Sequence, residues 1–213
     1  MTVLAELIAR CRDDSGDEAA PYHCSDADWT KYLNEAEDES CIRSRLIEEV
    51  IDVTFAAGDD TIAVPERAFS IQSAAIAGRA LALYTLRDLN DLLPDGWDDD
   101  EGSVVACARQ GNLLRLYPIP VAAGTVRLTA FCTPENHMVD DLDEPSIASR
   151  HHVKLVDWAL RCAYSKQNND LYDKDLADKH EGRFERTFGP RPNEVEMRRV
   201  SIRRQRPARG SFV

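Results

Sequence analysis

Five histidines, six cysteines and two dense runs of acid are the residues of this 213-residue chain whose types could support chemistry. His151 and His152 are adjacent. Neighbours on a regular helix point about 100° apart, so the pair cannot readily ligate one metal ion, and both read as the exposed first turn of a helix that starts there. His180 sits on an aromatic stripe, where a ligand or pH switch competes with an interhelical histidine holding a hydrogen bond, the reading taken here. A metal-dependent enzyme would have to draw on Cys132, His137, His151 and His152, and would purify with stoichiometric metal. Cys11, Cys24, Cys41, Cys107, Cys132 and Cys162 form no C-x-x-C pair and are expected as reduced, partly buried thiols. The acid runs Asp98–Glu101 and Asp140–Glu144 lack the alternate acids and sixth-position glycine of a calcium loop and read as solvated loop acids. There is no phosphate-binding glycine loop, no G-x-S-x-G elbow and no H-E-x-x-H. No catalytic residue, metal or cofactor is expected.

Charge is distributed unevenly. The chain carries a net charge of -12, yet residues 198–213 hold six arginines and no acid, which leaves -18 on residues 1–197. So acidic a body argues against broad wrapping by nucleic acid, because phosphate affinity comes from cation density. The arginine-rich end has three readings. It could bind nucleic acid through arginine–phosphate pairs, although Phe212 is its one aromatic and base stacking is poorly provided for. It could be a disordered terminus. It could be an arm that docks on an acidic protein, since Val195, Met197, Val200 and Ile202 alternate with polar residues in two phases and permit strand addition. Sixteen extended residues reach at most about 50 Å. Val200 and Ile202 would pack, while Arg198, Arg199, Arg203, Arg204 and Arg206 would pair with charge.

The elements that must position these residues follow from periodicity. Residues 3–12 form a short helix with Leu4, Leu7 and Ile8 on one face. Ser25 caps a second helix over roughly 26–48, with Asp28 near its first-turn amides and Trp29, Tyr32, Leu33 and Ala36 on its apolar face. Runs of β-branched and aromatic residues flank Gly58-Asp59-Asp60 and predict a hairpin. Residues 66–84 read as strands, although their alanines also suit a helix. A short helix runs from Thr85 to Leu93, "DGWDDDEG" makes an exposed turn, and a hairpin turns at Gly111-Asn112, with Pro118 and Pro120 ending its second strand. Val126, Leu128, Ala130 and Cys132 alternate along a further strand. Residues 150–166, including Trp158, are apolar on several faces, so that helix is buried on more than one side. Asn168 or Asn169 breaks it. The last helix carries Tyr172, Leu176, His180, Phe184 and Phe188 as an i, i+4 packing stripe and stops at Gly189-Pro190.

The fold class is therefore α+β. An N-terminal helical part (1–48) and a C-terminal helical part (135–190) pack into one bundle, interrupted by a β-rich insertion (49–134) and followed by an extended basic tail (191–213). No apolar run approaches the roughly 20 residues that span a bilayer, no secretory leader is expected, and no membrane partner is expected.

Three stretches carry a resemblance: "LIARCRDD…DADWTKYLNEAEDESCIRSRLI", "LLRLYPIP" and "SRHHVKLVDWALRCAYSKQNNDLYDKDLADKHEGRFERTFGPRP". In this order they resemble the head-to-tail adaptor (connector) proteins of tailed bacteriophages, closest to those that sit directly below the portal. The resemblance implies a structural virion protein without an active site, assembled in the bacterial host cytoplasm into a homo-oligomeric ring of about twelve copies in the neck. It implies the portal and the next tail or neck protein as partners, a C-terminal segment extended along the portal, and a lumen through which DNA passes during ejection without sequence-specific binding. Two alternatives remain open beside the metalloenzyme: a nucleic-acid-binding protein using its arginine tail, and a stopper or tail-tube subunit.

Overall fold

Ser25 shows how local chemistry starts an element. Its hydroxyl accepts from the Asp28 amide at 3.1 Å while the Asp28 carboxylate accepts the Ser25 amide at 3.2 Å, a reciprocal cap that opens helix α2 (Asp26–Ser44). Thr85 and Asp88 repeat the device at α3 (Leu86–Leu92). Helix α1 (Leu4–Ser15) ends at Gly16, whose φ of 73° is the left-handed conformation that glycine enters without penalty. The computed structural model describes residues 2–93, 97–167 and 170–193. They form a mixed α+β structure with five α-helices and a large curled sheet.

The chain divides into two compact units. One comprises Met1–Ile47 and Thr133–Pro192, the other Glu48–Cys132. In the first, α1, α2, α4 (Leu155–Ser165) and α5 (Lys174–Phe188) share one apolar core. Leu4, Leu7, Trp29 and Leu33 enter it from the first stretch of chain, and Leu155, Leu160, Phe184 and Phe188 from the second. Phe184 is fully buried, with ring centroids 5.0 Å from Trp158 and 4.6 Å from Phe188. The loop after α1 is held by Asp17, which is 1% exposed and accepts the backbone amides of His23 at 2.8 Å and Cys24 at 3.0 Å.

The second unit is built on a seven-stranded sheet of β1 (Ile47–Phe55), β2 (Thr61–Ala63), β3 (Ala68–Ile76), β4 (Arg79–Thr85), β6 (Ala106–Gln110), β7 (Leu113–Tyr117) and β9 (Gly124–Cys132). The order across it is β1-β9-β3-β4-β6-β7-β2, and β5 (Glu101–Gly102) pairs with β8 (Ile119–Pro120) separately. Residues 66–84 are thus largely strands, turning through Ala77 and Gly78, which both have positive φ. The β6–β7 hairpin turns at Gly111. Strands β4 and β6 are parallel, so the chain must cross between them, and α3 lies on that crossover. Along β9, Val126, Leu128, Ala130 and Cys132 are buried and alternate with more exposed residues.

Several expectations are corrected. Residues around Gly58 do not form a hairpin: β1 and β2 lie on opposite edges of the sheet. Six residues from Phe55 to Thr61 span at most about 21 Å, whereas six flat interstrand gaps would need about 29 Å, so the sheet has to curl to bring its edges within reach of that link. Helix α2 stops at Ser44 rather than near residue 48, because Arg45 takes the left-handed conformation (φ 53°) and Leu46 and Ile47 leave the helical path. Trp97, expected in an exposed turn, is buried: its indole donates to Asn90 Oδ1 at 2.8 Å and its ring meets Tyr117 edge-on at 5.7 Å. Pro120, expected to end a strand, is itself paired in β8.

A register shift in the β3–β9 pairing frees backbone carbonyls, and Arg109 satisfies them by donating to Phe69 O at 2.7 Å and Ala68 O at 2.9 Å. At the start of β9, a Cβ on Gly124 would fall 2.6 Å from the Phe55 ring. An alanine at 124 would therefore have to displace that ring.

Truncating Phe184 to alanine is expected to cost about 3–5 kcal/mol. Denaturant unfolding followed by tryptophan fluorescence reads that loss. Gly124→Ala should lower stability in the same assay by displacing the Phe55 ring, and Phe55→Leu in the same chain should recover part of the loss.

Candidate functional site

The apolar face of α2 is interrupted near its C-terminal end by charge. Arg43 is only 3% exposed at its side chain and Glu39 8%, and Arg43 Nε donates to Glu39 Oε1 at 2.8 Å. The guanidinium lies 5.0 Å from the Trp158 ring and 5.2 Å from the Phe184 ring, so a weakly hydrated cation sits against two π faces. Its remaining nitrogens reach Gly189 O at 3.3 Å and Glu181 at 3.7 Å, and Glu181 in turn accepts from Arg161 at 2.9 Å.

These contacts fix the root of the C-terminal segment. Ser44 donates to Phe188 O at 2.7 Å, which satisfies one of the carbonyls that the end of α5 leaves free. Arg191 then meets Glu39 at 3.4 Å, so one buried carboxylate receives two arginines, the second the first cation beyond α5. The arm residues Arg198, Arg199, Val200, Ile202, Arg203, Arg204 and Arg206 lie outside the described residues, as do Asn168 and Asn169.

On the expected packing stripe, Trp158, Phe184 and Phe188 are buried and Leu176 packs partly buried against the same core. His180 is 7% exposed, with Nδ1 2.9 Å from Asp157 Oδ1 and its ring stacked on Tyr164. Tyr172 departs from the expectation: it precedes the Asp173 cap of α5 and is 46% exposed, because Asp173 accepts the Leu176 amide and starts the helix after it. His152 also departs. It is 2% exposed rather than on an exposed turn, with its ring nitrogens 3.3 Å from Thr2 O and 2.9 Å from Ile147 O. The cause is a 3-10 turn, Ser149–Lys154, which directs His152 inward and leaves His151 half-buried against Phe188.

A second buried carboxylate, Glu37, lies two residues earlier on α2. Glu37 is fully buried. Its Oε1 accepts the amides of Ser146 and Ile147, and its Oε2 has no partner among the described residues. Burial pushes its pKa up to about 7 against the lowering effect of those two amides. One turn earlier, Asn34 brackets Met138, donating to its carbonyl at 2.9 Å and accepting its amide at 3.0 Å. Loop 138–147 is therefore pinned to α2 at both ends. The α2 stretch "EAEDESCIRS" reads in sequence as polar helix surface, and nothing in its local pattern marks Glu37, Glu39 and Arg43 as buried.

Among the described residues no group of three or more His, Cys, Asp or Glu side chains could hold a metal ion. His137 is instead 3.0 Å from Asp38. None of the six cysteines is in a disulfide, and burial pushes Cys107 up to about 12 and Cys162 up to about 11, so neither is a thiolate near neutral pH. The acid runs are partly structural: Asp98 pairs with Arg115 at 2.9 Å, Asp100 accepts from the Tyr117 hydroxyl at 3.1 Å, and Asp143 accepts two backbone amides that lower its pKa. No described helix is long and apolar enough to cross a membrane.

Among the described residues, this geometry holds the start of the C-terminal segment against α2. The family described as SU10 adaptor protein matches residues 1–210 of the chain. No curated protein matches it.

Two outcomes follow from the buried charges. Replacing Arg43 by methionine leaves Glu39 buried beside Arg191 alone, and removing one partner of a buried pair typically costs about 3–5 kcal/mol. Denaturant unfolding should show it, and Glu39→Gln in the same chain should restore part of the loss. For Glu37, the folded pKa lies above the unfolded value of 4.5, so the native state holds the proton more tightly. Stability is then highest below pH 4.5 and falls as pH rises towards 7, by on the order of 3 kcal/mol from this group. Glu37→Gln should flatten that part of the pH–stability curve.

Proposed function

We propose, from the premise that the chain belongs to the SU10 adaptor protein family, that it is a structural adaptor of the bacteriophage neck, forming a ring of about twelve copies that joins the portal to the tail. The observation that carries this reading is a family match over residues 1–210, nearly the whole chain. On this reading the helical unit is the bundle of the ring, and residues 191–213 are the arm that fixes it to the portal. The next tail or neck protein occupies the opposite face, and the lumen passes DNA during ejection. Catalysis has no part in the role.

The physical features are consistent with it. A ring closed by repeated head-to-tail contacts needs two different, complementary patches on each subunit. An acidic body with an arginine-rich segment offers such a pair and improves register. The clamp of Arg43, Ser44 and Glu39 on residues 188–191 supports a segment that leaves the body from a defined point. An arm that orders only on its receptor loses conformational entropy on binding, and many arms engaging one ring together offset that loss. The protein alone is then a monomer or a weak oligomer. Acids facing the lumen would keep DNA from adhering.

A chain ending at Pro192 is expected to fold but not to join portal-containing heads. Normal incorporation of that truncation into heads, seen by electron microscopy as a ring beneath the portal, would remove the arm from the reading. The double variant Asp99→Asn/Glu101→Gln should slow DNA ejection, and unchanged ejection would remove those two acids from the lumen.

A further inference from the structure

We propose that the groove beside the N-terminal half of α2 is the receptor for residues 198–206 of a second copy of this chain. The groove is open, has a volume of about 600 Å³ and is built within the helical unit. Ile8, Met138 and Val139 line its apolar side. Asp26, Glu35, Asp38 and Asp141 line it with acid. Three of these carboxylates already have a partner: Arg12 is 2.7 Å from Asp26, Lys31 is 3.8 Å from Glu35, and a His137 ring nitrogen is 3.0 Å from Asp38. Asp141 has no ion pair among the described residues, and neither do the adjoining Asp140 and Glu144. The lip of the groove is thus short of cations.

That lip also displays apolar groups that the fold holds in water. Val139 is 77% and Leu142 81% exposed, the highest values of any large described hydrophobic residue. They cannot simply turn inward, because the loop is fixed from three sides. Asp143 accepts the amides of Val139 at 2.7 Å and Asp140 at 2.8 Å. The free amides at the start of α1 donate into the loop, Leu4 to Asp143 O at 2.8 Å and Ala5 to Asp141 O at 3.1 Å. Asn34 holds Met138. Exposed apolar groups on a rigid support, rimmed by charge, are the usual make-up of a protein contact.

The occupant must bring apolar side chains interleaved with cations. Residues 198–206 carry five arginines with Val200 and Ile202 and no acid. The rest of this acidic chain has no comparable stretch. A second copy, rather than the same chain, is indicated by helix geometry. Arg43, which clamps the root of the segment, follows Asn34 by nine residues, and at about 100° per residue it points to the opposite side of α2 from the groove. Root and receptor on opposite sides of α2 suit a head-to-tail contact between copies, while the stretch from Arg191 to Ile202 is also long enough to wind round α2 into its own groove, the outcome that cross-links confined to one chain would report. The inference rests on reading 194–213 as a protein-docking segment, and adds a receptor on the chain itself to the one on the portal.

The test uses the full-length protein with no portal present. A photo-reactive benzoylphenylalanine replaces Ile202, and equal amounts of ¹⁴N- and ¹⁵N-labelled chains are mixed, irradiated and digested. Mixed-isotope peptides joining position 202 to residues 27–38 or 138–144 are expected. Their yield should fall at least fivefold in Val139→Ser/Leu142→Ser, whose thermal unfolding should be unchanged because both side chains are exposed. Cross-links confined to one chain, cross-links elsewhere, no cross-links, or a yield indifferent to the double substitution would each overturn the proposal. None of these results touches the truncation experiment on heads, so portal docking by the segment stands or falls separately.

Discussion

A guanidinium with nowhere to go but between two aromatic rings organises the helical unit. Arg43 is enclosed by Trp158 of α4 and Phe184 of α5 while it stays on α2, so one cation ties three helices. Taking such a charge out of water costs several kcal/mol unless its donors are satisfied. Here Glu39, Glu181 and the Gly189 carbonyl satisfy them. The same requirement holds the end of α5, which Gly189 and Pro190 terminate, since the Phe188 carbonyl accepts from Ser44 and the Gly189 carbonyl from Arg43. A hydrophobic residue at 43 could fill the space, but it would leave the Gly189 carbonyl without this donor.

The sheet unit answers a different constraint, that of placing the edge strands β1 and β2 at the two ends of one short link. Curling the sheet disturbs a ladder locally, and the freed carbonyls at Ala68 and Phe69 are taken by the half-buried Arg109. In both units, then, an arginine satisfies backbone carbonyls that regular secondary structure leaves over. Arginine suits this because its planar fork offers five donors and is less strongly hydrated than an ammonium group.

Local signals were the legible part. The Ser25 cap, the Gly111 hairpin and the alternation of Val126, Leu128 and Ala130 depend on residues a few positions apart, and each is read from sequence as it stands in the structure. The misread elements all involve distant partners. The residues around Gly58 look like a hairpin because both flanks have strand character, but β9 and β7 claimed those flanks. Trp97 sits among acids and looks exposed until Leu89, Tyr117 and Arg115 are brought to it. His152 reads as surface on a regular helix, and it is the 3-10 turn Ser149–Lys154 that directs it inward.

By itself, the sequence determined the α+β class, the apolar stripes of the helices and the segregation of charge into an acidic body and an arginine-rich end, all of which follow from composition and short-range periodicity. Together with an ordered resemblance along the chain, that was enough to place it among phage adaptors, where the family match also puts it. Only the tertiary structure decided which polar side chains go inside. Glu37, Glu39 and Arg43 lie within seven residues of one helix and look alike in sequence to exposed neighbours such as Glu35. Whether such a side chain is buried depends on the amides, carbonyls and rings that chain segments more than a hundred residues away bring to it, and local propensity carries no record of them.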